Sequence, residues 1–279
     1  ISTSGDYSVK AINGTCEAFA NITVTINETP SFTVSNPSAQ CEGTYDLEDA
    51  VSSLSPSDAV LTYWNAAVSG AEVTNPVTES GPYFVQAAKL RCTSRREQVD
   101  VIIDVTPVIT AAIPADECAP GTVDITSSAV PNTAITYHVG TGGTGALVGD
   151  ETDISTSGDY SVKAINGTCE ASADIVVTIN PLPTATISVS DTDICPSSPD
   201  ETTTITITAA GGTGPWTVHY TDAANTNEIV TVPVGGTTTV DVSSAGTYTL
   251  TDVFNDGTGC TQGVIGQEVT INLLEEVAG

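Results

Sequence analysis

Ile1–Ala18 and Ile154–Ala171 carry one and the same eighteen-residue string, ISTSGDYSVKAINGTCEA. Chance does not produce such identity, so the chain is built from a duplicated unit, and each unit must bury its core mainly on itself and its neighbours. The cysteines report the period independently. Cys41 to Cys118 and Cys118 to Cys195 are each 77 positions apart, as are Cys92 and Cys169, while Cys16 and Cys92 are 76 apart. Every unit thus holds an early cysteine (Cys41, Cys118, Cys195) and a late one (Cys16, Cys92, Cys169, Cys260). A third marker falls in register: Ser4-Gly5-Asp6-Tyr7, Ser80-Gly81-Pro82-Tyr83, Ser157-Gly158-Asp159-Tyr160 and Ala245-Gly246-Thr247-Tyr248.

Short proline-containing junctions divide the chain into a partial repeat at 1–29, repeats at 30–106 and 107–180, and a longer one at 181–279. Within 107–180 the apolar residues alternate as in strands at Val108–Ile113, Thr122–Thr126, Ala134–Val139, Thr152–Ser155 and Tyr160–Ile165, and again at Ile175, Val177 and Ile179. Asn166-Gly167 between the last two long runs predicts a type I′ hairpin turn. Many short strands with frequent turns and no 3.6-residue periodicity predict an all-β fold of tandem immunoglobulin-like β-sandwich domains. The Gly-x-Tyr at the head of the penultimate strand resembles the tyrosine corner of such domains. The strands of 1–29 cannot close a sandwich alone; upstream chain or strand addition from a neighbouring molecule is expected to complete it.

One early and one late cysteine per repeat predicts a bond inside each: Cys41–Cys92, Cys118–Cys169 and Cys195–Cys260. Free buried thiols and metal binding are the alternatives, and no C-x₂₋₄-C pair supports the metal. A sandwich of about 77 residues buries little surface for its size, and closing a loop of about 52 residues stabilises by roughly 4 kcal/mol. Disulfides persist in oxidising compartments, so an extracellular location is expected. On this reading each repeat is clipped within itself, and a bridge between repeats would overturn both the pairing and the stalk role read from it.

The 34 acidic and 6 basic residues give a net charge of −28. A surface so acidic repels nucleic acid and anionic membranes, and no apolar run is long enough for membrane insertion. Gly140–Gly145 matches G-x-G-x-x-G but lies between strands, which makes it a hairpin loop rather than a dinucleotide cradle. His138 and His219 lack a neighbouring nucleophile or metal motif and read as plain strand residues; no catalytic residue and no cofactor is expected. Asp191, Asp193, Asp200 and Glu201 are candidate ligands for a structural calcium, against the competing reading of a solvated acidic loop. Lys89, Arg91, Arg95 and Arg96 form a basic cluster suited to an acidic neighbour or glycan, or simply a neutralised surface. Trp64 falls outside the inward alternation, whereas Trp216 belongs to it. Asn13, Asn21, Asn27 and Asn166 lie in N-x-[ST] sequons.

The VTIN segments before Pro-containing junctions, the SGDYSVKAINGTCEA strings, and AAGGTGPWTVHYTD with SSAGTYTLTDVFNDGTGC in the longer repeat together resemble the repeats of large Bacteroidetes-type cell-surface adhesins of the gliding-motility kind. That resemblance implies export by type IX secretion, a bacterial cell-surface location, and neighbouring repeats of the same long chain as partners, with other surface proteins or glycans beyond them. It transfers no functional residue. Proline-bearing linkers leave little room for hinge motion, so the expected function is a structural stalk segment of an adhesin filament. A glycan- or calcium-binding sandwich and a non-catalytic spacer of a secreted enzyme are the other readings.

Overall fold

The computed structural model describes residues 1–131, 133–195, 201–264 and 266–275. Strands dominate throughout, and the only helical element among the described residues is a single 3-10 turn at Leu47–Ala50. Contacts divide the chain into two compact units. One comprises residues 1–109, 129–135 and 164–171; the other comprises 110–128, 136–163 and 172–279.

In the first unit, Val60–Trp64, Gly81–Lys89, Cys92–Thr93 and Glu97–Val101 form one sheet, and Ser31–Val34 pairs with Val51–Ser55 in a second. Leu47, Val85, Val99, Val101 and Ile103 bury their side chains in the core, with Phe32, Leu61 and Tyr63 packed against them. Two-residue alternation is what allows this: along Glu97–Val101 only Val99 and Val101 are buried. Residues 1–24 form a hairpin of two nine-residue strands, Gly5–Asn13 and Cys16–Val24, paired from Gly5↔Val24 to Asn13↔Cys16.

The second unit holds the longest repeat as a two-layer sandwich. Thr184–Val189, Thr203–Ala210 and Thr237–Val242 form one sheet. Trp216–Thr221 and Gly246–Asn255 lie at the centre of the other. The common core draws Ile205 and Ile207 from the first sheet and Trp216, Val218, Leu250 and Val253 from the second. The alternation is strict along Trp216–Thr221, where Trp216, Val218 and Tyr220 are buried and the residues between them are not.

Repeat 107–180 departs from its sequence reading in two places. Thr122–Thr126 and Thr152–Ser155 are not strands; Val123 and Ile154 make an isolated bridge, which still buries Val123 and Ile125. Short strands appear instead at Glu117–Cys118 and Ser128–Val130, too brief to show a period. The tyrosine corner is present in all four repeats, where Tyr7, Tyr83, Tyr160 and Tyr248 each donate a hydroxyl hydrogen bond to the carbonyl four residues upstream, at 2.8–3.0 Å.

The expected turn shifts by one residue. Asn13 pairs with Cys16, so the turn residues are Gly14 and Thr15, and of these Gly14 has positive φ, at 59°. A single positive φ at the first turn position belongs to a type II′ rather than a type I′ hairpin. Gly167 takes the same conformation at 58°, and Leu90 fills the equivalent place at 55°, unusual for a residue with a side chain.

Candidate functional site

The disulfides link repeats and do not close within them, which corrects the expected pairing. Cys41 bonds Cys169, and Cys118 bonds Cys260; Cys92 and Cys195 are free thiols, as is Cys16. The reason lies in strand geometry. The early cysteine runs parallel to the last residues of its repeat, Cys41 opposite Asp104 and Cys118 opposite Asn180. The late cysteine opens that same final stretch, at Cys92 or Cys169. Cys169 and Asn180 are 11 positions apart along extended chain, about 36 Å at ~3.3 Å per residue. A disulfide needs Cα atoms within about 7 Å. Early and late cysteines of one repeat therefore sit at opposite poles. The early one marks the pole where the chain leaves, and the late one lies on the hairpin facing the repeat before.

The first staple is the more fully built. The hairpin tip Asn166-Gly167-Thr168 of repeat 107–180 belongs to the same compact unit as repeat 30–106. Asn166 Nδ2 donates to the Val105 carbonyl at 2.9 Å. Thr168 donates to Asp104 Oδ2 twice, from its amide at 2.7 Å and from its hydroxyl at 2.9 Å. Glycine suits position 167 on two counts: its positive φ is one that side chains rarely adopt, and a Cβ would push against the Asp104 carboxylate that Thr168 holds. Cys169 is completely buried beside this clamp. On the other side Thr106 donates its amide to Glu42 Oε1 at 3.2 Å, and hydrogen bonding from Thr106 holds the Glu42 carboxyl below its ordinary pKa.

The second staple is shaped by Asn255, a residue the sequence reading did not single out. Its side chain is fully buried. Nδ2 donates to the Gly211 carbonyl at 2.8 Å, and Oδ1 accepts from the amides of Gly257 and Thr258 at 2.9 and 3.1 Å. These bonds fold the loop before Cys260 so that its sulfur reaches Cys118. Gly212 leaves the room, since a Cβ there would lie 2.1 Å from Asn255 Nδ2. The available signal was an asparagine opening an inserted Asn-Asp-Gly-Thr-Gly run directly before a cysteine.

The other candidates disperse. Trp216 is buried, with its indole N–H donated to the Gly211 carbonyl at 2.8 Å. Trp64 is half-buried, and the Arg96 guanidinium covers its ring at 3.7 Å. Lys89 pairs with Asp58, so the basic cluster divides among local partners, with Arg95 beside the hollow lined by Thr29, Pro30 and Phe32. Asp200 lies outside the described residues. Asp191 accepts from the Asp193 amide, Asp193 from Asn272 Nδ2, and Glu201 from the Cys195 amide, at 3.1–3.2 Å. Among the described residues no group of three or more His, Cys, Asp or Glu side chains is placed to hold a metal ion. The charge of Glu201 is the largest influence raising the Cys195 thiol pKa above its ordinary value.

Gly140–Gly145 is a loop following the strand Ala134–Val139, with Gly142 and Gly143 donating their amides to Asp174 and Ser161. His138 bonds Thr136 Oγ1 and the Gly145 carbonyl. His219 Nδ1 lies 2.8 Å from Asp252 Oδ1, in a hollow lined by Asn227, Glu228, Ile229 and Thr251. Among the described residues neither serine nor cysteine lines it.

Compared with known protein families and with curated proteins, the chain matches none. Among solved structures it is similar to a three-immunoglobulin-domain structure of titin I67–I69 in an E-to-A mutated variant, at 12% identity over 89% of this chain and 100% of that one, with a TM-score of 0.54. It is likewise similar to the I-band fragment I67–I69 from titin, at 12% identity over 90% and 100% of the two chains, with a TM-score of 0.51. At that identity the likeness speaks for the fold: the chain is a tandem array of immunoglobulin-like β-sandwich domains.

Proposed function

We propose that the chain is a non-catalytic stalk segment of a repetitive extracellular adhesin or surface filament, in which successive repeats are stapled rather than merely strung together. Bridges between repeats remove the self-clipped repeat on which the stalk expectation rests; what carries the reading instead is their placement, each disulfide running from the exit pole of one repeat to the entry hairpin of the next. A bond at that place restrains the hinge between repeats, which a bond inside a repeat leaves free. Stable disulfides agree with an oxidising, extracellular setting. The Bacteroidetes-type surface location rests on the resemblance of the repeat strings alone, and the partners it favours are the neighbouring repeats. Burial of Trp216 and capping of Trp64 by Arg96 weigh against a stacking platform for glycans.

Force spectroscopy on the whole chain tests the proposal. Tension on the oxidised chain passes from Cys41 across to Cys169, back along the 51 positions to Cys118 and across to Cys260, so about 168 positions stay slack, roughly 590 Å of extended chain at ~3.5 Å per residue. The oxidised chain should withhold that length under tension and release it after reduction. Equal contour lengths in the two states would sink the stapled stalk.

A further inference from the structure

Among the described residues three poles have one construction, and two of them hold a disulfide. At each, the early cysteine's strand lies parallel to the end of the repeat: Cys41 beside Asp104, Cys118 beside Asn180, and Asp193–Ile194 beside Asn272–Leu273. The Leu274 amide continues the third pair by donating to the Ile194 carbonyl at 2.9 Å, which sets Leu274 opposite Cys195. The first two poles each hold a cysteine-bearing hairpin through a disulfide. At the third, Cys195 is a half-exposed free thiol, and Leu273 and Leu274 beside it are 56% and 46% exposed.

The opposite half of the same joint is also present. Cys16 is an exposed free thiol on the hairpin Asn13-Gly14-Thr15-Cys16. That string is identical to Asn166-Gly167-Thr168-Cys169, which fills the first pole, and Gly14 has the backbone angle of Gly167. From this register we infer that Cys195 is a docking thiol for the entry hairpin of another repeat of this kind, and that a second copy of this chain supplies one through Cys16. The contact joins unlike surfaces, so copies add head to tail, into a ring where the rotation between them closes and into an open filament where it does not. It rests on cysteine register, not on the stalk reading, and force measurements on bonds already made test that reading separately.

The bond needs an oxidant, and glutathione disulfide serves. The Cys16 thiolate attacks one glutathione sulfur, forming a mixed disulfide and releasing one glutathione. The Cys195 thiolate then attacks the Cys16 sulfur and releases the second. Two protein thiols are oxidised to one disulfide, and one glutathione disulfide is reduced to two glutathione molecules.

The test uses the full chain with its two staples intact, incubated with glutathione disulfide, followed by non-reducing electrophoresis and mass-spectrometric peptide mapping. The expected result is a reducible ladder of multimers whose main new cross-link joins the Cys16 and Cys195 peptides. Cys16→Ser and Cys195→Ser should each cut species larger than a dimer at least about tenfold, because only complementary ends propagate. Mixing the two variants should restore dimers through their remaining complementary ends and give no ladder. Circular dichroism checks that both variants stay folded. The inference falls if Cys16–Cys16 and Cys195–Cys195 links are as abundant as the mixed one, if Cys92 is the principal partner, or if both thiols end as glutathione adducts without multimers.

Discussion

Residues 1–18 and 154–171 are the same letters in two surroundings, and what they share separates local from tertiary causes. Both strings make the tyrosine corner, Tyr7 to the Thr3 carbonyl at 2.8 Å and Tyr160 to the Thr156 carbonyl at 3.0 Å. Both make the reciprocal serine clip, Ser4 with Ile26 and Ser157 with Ile179. Both turn on a glycine of nearly equal φ. Burial is where they part. Val162 is wholly buried while Val9 is 52% exposed, and Cys169 is bonded and buried while Cys16 is free and exposed. Local hydrogen bonds and turn chemistry travel with the string; the core and the disulfide belong to what lies opposite it.

Paired substitutions measure that division. The largest difference is expected at the cysteines. Cys169→Ser opens a closed loop and should cost about 4–5 kcal/mol in the chain-entropy account, while Cys16→Ser should leave the denaturation midpoint unmoved. Equal effects would mean that Cys16 is also bonded in solution. The valines come next: Val162→Ala should destabilise by about 2 kcal/mol through a core cavity, and Val9→Ala by less than about 0.5 kcal/mol. Chemical denaturation decides between this and a Val9 site covered in solution, where both changes would cost alike. The smallest difference is at the tyrosines, where Tyr160→Phe should cost about 1 kcal/mol and Tyr7→Phe roughly half that, since its lost hydrogen bond is more readily replaced by water. Amide exchange at the two hairpins would register it.

Much of the fold was legible because it is written locally. The repeat, the strand alternation of Tyr160–Ile165, the tyrosine corner and the burial of Trp216 all follow from spacing. The cysteine partners were not, because spacing gives a residue's place in its repeat and not the pole it occupies. Counting the strand from Cys169 to Asn180 supplies the missing length and rules out Cys118 as its partner. Val123 and Ile125 alternate in sequence and both are buried, yet the expected strand Thr122–Thr126 is absent, since an isolated bridge buries side chains as well as a ladder does. Asn255 escaped notice because a single polar residue acquires meaning only from the carbonyl and amides folded around it.

The two disulfides interleave. Cys118 lies between Cys41 and Cys169, so the second bond begins before the first has ended. A single backbone cut anywhere between Cys41 and Cys260 therefore falls within the span of at least one bond and leaves the pieces covalently attached. Like overlapping roof tiles, the bonds tolerate one break without letting anything fall. For a chain exposed to proteases, this confers durability that neither sandwich stability nor a bond confined to one domain can supply.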